Sequence, residues 1–123
     1  MLHQELTYQI RGAAFKVHRA LGPGLLESAY QTCLAHELQK TGLRVAAEAP
    51  LPLVYDTVIM DVGYRVDLLV EDKVILELKS VDKLSTLHAA QILTYLRLAK
   101  LRVGLLMNFN VQNLQQGIKR YVV

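Results

Sequence analysis

Residues 65–79 read RVDLLVEDKVILELK, and the fold turns on how this stretch is divided. It splits into two runs rich in Val, Ile and Leu, separated by the polar triplet Glu71-Asp72-Lys73. Such a pattern predicts two strands joined by a tight turn. Side chains alternate along a strand with period two, so the even positions Val66, Leu68, Val70, Val74, Leu76 and Leu78 form one apolar face. The odd positions carry Arg65, Asp67, Leu69, Ile75, Glu77 and Lys79, a mixed face. A three-residue turn pairs Val70 with Val74 and sets Asp67 opposite Glu77, at roughly 5 Å between Cβ atoms. A turn of two residues would slip the register and send Asp67 to the apolar face. Two carboxylates so close among aliphatic neighbours repel each other and resist desolvation. A divalent cation relieves both costs, and oxygen-only ligands suit Mg²⁺ or Mn²⁺. Ion pairing with Arg65 and Lys79 on an exposed sheet face explains the same strand pattern equally well.

Upstream of this pair, Leu6, Ile10, Ala13, Ala14, Val17 and Leu21 make one helical stripe over Gln4 to Leu21. Gly22-Pro23-Gly24 stops that helix, and a second is expected from about Leu25 to Lys40, with Leu26, Tyr30, Leu34 and Leu38 as its stripe and Glu27 at its margin. Pro50 and Pro52 interrupt Leu43 to Tyr55, which reads as an edge or irregular strand. Val58 to Val70 reads as one strand and Val74 to Ser80 as the next. Helical spacing returns from Ser85 to Ala99, with Ser85 or Thr86 as N-cap. Arg102 to Phe109 is an apolar run suited to a strand covered on both faces. A helical turn within Val111 to Ile118 and a strand over Lys119 to Val123 complete the chain. The order of elements predicts a three-layer α/β sandwich around a mixed sheet, one domain over residues 1–123.

The chain has 123 residues, 52% of them hydrophobic, which is globular rather than disordered. No apolar run approaches the ~20 residues that span a bilayer, and the N-terminus lacks a secretory pattern. Cys33 is the sole cysteine, so an internal disulfide or a cysteine-based zinc site is excluded and a cytoplasmic location is expected. A net charge of +3 is compatible with a polyanionic partner without demonstrating one. Lys83, Arg97, Lys100, Arg102, Lys119 and Arg120 are candidates for a basic rim beside nucleic acid. Low aromatic content argues against extensive base stacking. His18 and His88 read as structural or solvated histidines, and Tyr30 as a core residue with its hydroxyl bonded near the site.

DLLVEDKVILELK (Asp67–Lys79) resembles the D…ExK signature of the PD-(D/E)XK nuclease superfamily. HRALGPGLLESAY (His18–Tyr30) resembles the motif that names the GxxExxY group, through Gly24, Glu27 and Tyr30, and QILTY (Gln91–Tyr95) resembles the QxxxY element of RecB-like nucleases. These elements follow in the expected order over about Val17 to Arg120. The resemblance implies a restriction-endonuclease-like α/β/α core and metal-dependent hydrolysis of nucleic acid, with DNA favoured. Asp67, Glu77 and the Leu78 carbonyl would be metal ligands, and Glu27 would complete the metal site or hold a water beside it. Lys79 would position the nucleophilic water, while Gln91 and Tyr95 would brace the site or touch the phosphate backbone. A non-catalytic member of the fold, binding nucleic acid or protein, is the competing expectation. A chain this small offers few loops for sequence readout, so specificity would call for a homodimer or a protein partner.

Overall fold

The computed structural model describes all 123 residues. Two helices, α1 (Gln4–Leu21) and α2 (Glu27–Lys40), precede five strands: β1 (Val45–Pro50), β2 (Leu53–Tyr55), β3 (Val58–Met60), β4 (Arg65–Val70) and β5 (Val74–Lys79). Then come α3 (Thr86–Ala99), β6 (Val103–Asn108), a 3₁₀ turn at Leu114–Gly117, and β7 (Ile118–Val122). The main sheet has the order β1-β4-β5-β6-β7, while β2 and β3 form a separate hairpin. Only β5 and β6 run parallel. A parallel pair needs a crossover, and α3 supplies it.

Helices α1 and α2 cover one face of the sheet, where Ile10, Val17, Tyr30, Leu34 and Leu38 pack on Leu68, Val70, Leu76 and Leu78. Helix α3 covers the other, with Ile92, Tyr95 and Leu96 against Ile75 and Leu106. The result is an α/β/α sandwich around a five-stranded mixed sheet. Every residue of β6 is buried, as its unbroken apolar run requires. The turn after β4 has the odd length the register needs, since Val70 pairs with Val74 and Leu68 with Leu76. Ser85 caps α3 by accepting from the His88 backbone N–H at 3.3 Å. No helix is long and apolar enough to cross a membrane.

Four local expectations need correction. The run Val58 to Val70 is two strands, because Asp61–Tyr64 turns between them, with Gly63 at φ 82° and its N–H donating to Asp61 Oδ1 at 3.0 Å. Turn chemistry overrides the apolar pattern there. Leu43 to Tyr55 likewise divides, β1 ending at Pro50 and β2 joining β3 through Asp56 and Thr57, both at positive φ. Leu26 is no part of the helical stripe. It occupies the extended N-cap position of α2 and is 77% exposed. Val66 packs with the α3-side cluster rather than with its even-numbered neighbours. Opposite this part of β4, β1 departs from extended geometry at Glu48, whose φ is 51°.

Gly117 marks a close approach of two chain segments. A Cβ there would fall on the Asn108 carbonyl oxygen, which is backbone and cannot swing aside. Gly117→Ala is therefore expected to destabilise the protein by about 1–3 kcal/mol, measured by urea denaturation. Unchanged stability would mean that the 3₁₀ turn does not abut Asn108 as described.

Candidate active site

The β4–β5 ladder stops one level short of Asp67 and Glu77. At that level side chains replace the backbone pairing. The Asp67 N–H donates to Glu77 Oε2 at 2.8 Å, and the Leu78 N–H donates to Asp67 Oδ2, also at 2.8 Å. Each carboxylate thus spends one oxygen on the neighbouring strand and keeps the other free. Glu77 is only 3% exposed, and burial, followed by the charge of Asp67, pushes its carboxyl up to about 8. Burial raises Asp67 as well, against the opposing pull of its Leu78 hydrogen bond and of Lys79.

Lys79 follows on the same face. Its Nζ donates to Gln91 Oε1 at 3.4 Å, and Gln91 Nε2 donates to the Tyr95 hydroxyl at 3.1 Å. Gln91 and Tyr95 share a face of α3 because they stand four residues apart. Burial pushes the Tyr95 phenol up, so it stays neutral and holds Gln91 without adding charge.

Glu27 opens α2, and its position is set by the turn before it. Gly22 and Gly24 hold φ 68° and 101°, conformations that side chains beyond glycine resist. The Tyr30 hydroxyl clasps this turn, donating to the Gly22 carbonyl at 2.6 Å and accepting from the Leu25 N–H at 3.1 Å. Its ring stacks on Phe109 with centroids 4.6 Å apart. Ser80 Oγ donates to the Leu25 carbonyl at 2.6 Å, and the Ser80 N–H donates to Glu27 Oε2 at 3.4 Å. Glu27 is thereby tied to the chain just beyond Lys79. No trio of His, Cys, Asp or Glu side chains gathers closely enough to share one metal ion, although the charge of Glu27 reaches Asp67 and adds to its upward shift.

Two residues of this region escaped the sequence reading. Glu48 bonds to Gln31 Nε2 at 3.2 Å, and its charge adds to the upward pressure on both Asp67 and Glu77. The signal for it is the β1–β4 register, which sequence hides behind Pro50 and Pro52. Asn108 is buried opposite Lys79 in the β5–β6 ladder. Its Oδ1 accepts from the Val81 N–H at 3.1 Å and its Nδ2 donates to the Val81 carbonyl at 2.9 Å, pinning the segment that follows Lys79.

His18 and His88 both have structural roles. His18 Nε2 lies 2.7 Å from the Val111 carbonyl, and His88 Nδ1 accepts from the Ser85 N–H at 3.1 Å as half of a capping box. The six basic residues do not make one rim. Lys83 and Lys119 line a single cleft with Asn108. Lys100 and Arg102 flank the start of β6, at the end of the sheet opposite Lys79, because α3 must run back against β5 before β6 begins. Arg97 lies in the last turn of α3 at that same end, and Arg120 is engaged by the Leu2 carbonyl at 2.7 Å.

A family model described as the PD-(D/E)XK nuclease superfamily matches residues 4–121 of the chain. No curated protein and no solved structure matches it.

The raised Glu77 carboxyl makes stability depend on pH in a definite direction. The unfolded carboxyl titrates near 4.5 and the folded one near 8, so the folded protein holds an extra proton between these values. Stability is then greatest at the acid end of this window and falls as pH rises through it, by on the order of a few kcal/mol. Chelator-treated protein should melt at lower temperature at about pH 8.5 than at about pH 5.5, and Glu77→Gln should flatten that decline. A melting temperature that rises over this range would contradict the buried-pair electrostatics.

Proposed function

Because the chain belongs to the PD-(D/E)XK nuclease superfamily, we propose that it hydrolyses phosphodiester bonds of nucleic acid, DNA first, with Mg²⁺ or Mn²⁺ as cofactor. One observation carries this reading. Two carboxylates and an ammonium group gather at one end of β4 and β5, with the ammonium braced from α3.

The donor set fits a hard cation. Asp67 and Glu77 each offer a free carboxylate oxygen, and the Leu78 carbonyl is a third oxygen in the same strand. The two raised carboxyls also fit, since a cation offsets the burial that lifts both and the Asp67 charge that lifts Glu77 further. A divalent ion held there supplies Lewis acidity toward a phosphoryl oxygen and lowers the pKa of water. Lys79 presents positive charge toward the oxygens on which negative charge grows during in-line displacement, and it orients the attacking water. Gln91 and Tyr95 limit the rotamers open to Lys79, which keeps its Nζ near the reacting phosphate. Glu27 acts from outside the inner pair, holding a water through its free oxygen beside the Ser80 backbone.

Cleavage assays on DNA and RNA with Mg²⁺ or Mn²⁺ test the proposal. Wild-type protein should cut, and Lys79→Ala and Asp67→Asn should each lower kcat by about 10²- to 10⁴-fold while circular dichroism reports an intact fold. Absence of cleavage across both substrate types and both ions would leave the non-catalytic binding reading in its place, and full activity in Lys79→Ala would overturn the role given to Lys79.

A further inference from the structure

The outer face of α3 opens into a cleft of about 320 Å³ lined by Tyr64, Leu87, Ala90, Gln91, Thr94 and Tyr95. Its inner wall is the Gln91–Tyr95 pair, and Gln91 is the residue that receives Lys79. The cleft and the carboxylate–lysine site therefore share Gln91. Tyr64 stands at the entry to β4, its ring 5.9 Å from that of Tyr95 and tilted by 50°. Its backbone is fixed, since its carbonyl accepts from the Leu51 N–H and from Arg65 Nη1, both at 2.9 Å. Even so, Tyr64 remains 44% exposed and Leu87 78% exposed. Ala90 and Thr94, four residues apart on α3, are short and leave the space open.

We infer that this cleft seats one unpaired nucleobase of the substrate strand, stacked on Tyr64 and flanked by Leu87. The inference rests on the nuclease reading above and sharpens it from nucleic acid to a single strand or a frayed end. A braced aromatic ring with an open flank is the standard surface for a base, and stacking is tolerant of sequence because every base has a π-face. In a duplex those faces are covered by neighbouring pairs, so only an unpaired base can use Tyr64. The volume lies at the lower end of ligand pockets, which suits one base. Base and phosphate arrive covalently linked, and the cleft adjoins the groups that suit a phosphodiester. A general protein-docking patch would need no such link through Gln91 to Lys79.

Fluorescence anisotropy of labelled oligothymidylate, and of a duplex of equal length, tests this with Ca²⁺ in place of Mg²⁺ to prevent turnover. Tyr64→Ala should weaken single-strand binding roughly 5- to 150-fold, Tyr64→Phe should restore it, and duplex binding should change less than about twofold. Thermal melting of each variant separates loss of stacking from loss of fold. Tyr64→Ala binding the single strand as wild type does, or losing single strand and duplex equally, would overturn the base-seat assignment while leaving the nuclease reading intact. Wild-type protein that binds neither nucleic acid would overturn both.

Discussion

Where the ladder between β4 and β5 stops, the Asp67 and Leu78 backbone N–H groups donate to the Glu77 and Asp67 side chains. These bonds hold the carboxylates in place without a charged partner, and the rest of the site is arranged around them. Buried N–H groups must find acceptors, so the strands can part here only because each carboxylate supplies one. The cost appears as electrostatic pressure. Burial lifts both carboxyls, the charge of Asp67 lifts Glu77 further, and Glu48 at the sheet edge adds to the load on each. Lys79 relieves part of it, and a bound cation would relieve the remainder. A stability cost concentrated at paired acids beside a lysine is the pattern expected where function outweighs packing.

The surrounding elements act as supports for that pair. The β5–α3–β6 crossover brings Gln91 and Tyr95 over Lys79, while Asn108 on β6 anchors the chain that leaves β5. On the opposite layer, Tyr30 uses its ring for the core and its hydroxyl for the Gly22–Leu25 turn, so one residue fixes both helix packing and the place of Glu27. Ser80 then links that turn to the end of β5. The candidate site therefore draws on both helical layers and the sheet between them, all at one end of the parallel pair.

How much of this was legible in the sequence depends on the kind of information involved. Strands β4 and β5 were legible because period-two alternation and an odd turn constrain each other. The second follows once the first must keep Asp67 off the apolar face. Helices α1 and α3 were legible because their ends carry turn and cap signals at Gly22-Pro23-Gly24 and Ser85. The β2–β3 hairpin was not, since its turn at Asp56 and Thr57 contains no glycine to announce positive φ. Glu48 and Asn108 were hidden for another reason. Their roles depend on which strand lies beside which, and no local pattern encodes that. The basic residues failed similarly, because the direction of α3 decides which end of the sheet each one occupies.

If Asp67 and Glu77 bind a divalent ion, as proposed, Glu77 must give up the proton that its burial and the charge of Asp67 favour. Calorimetric titration of Mn²⁺ into chelator-treated protein at pH 7, repeated in buffers of different ionisation enthalpy, tests it directly by counting protons. Saturable binding with release of about one proton per ion is the expected result, because a carboxyl lifted to about 8 must give up its proton to serve as a ligand. Absence of binding, or binding with no proton release, would contradict the claim.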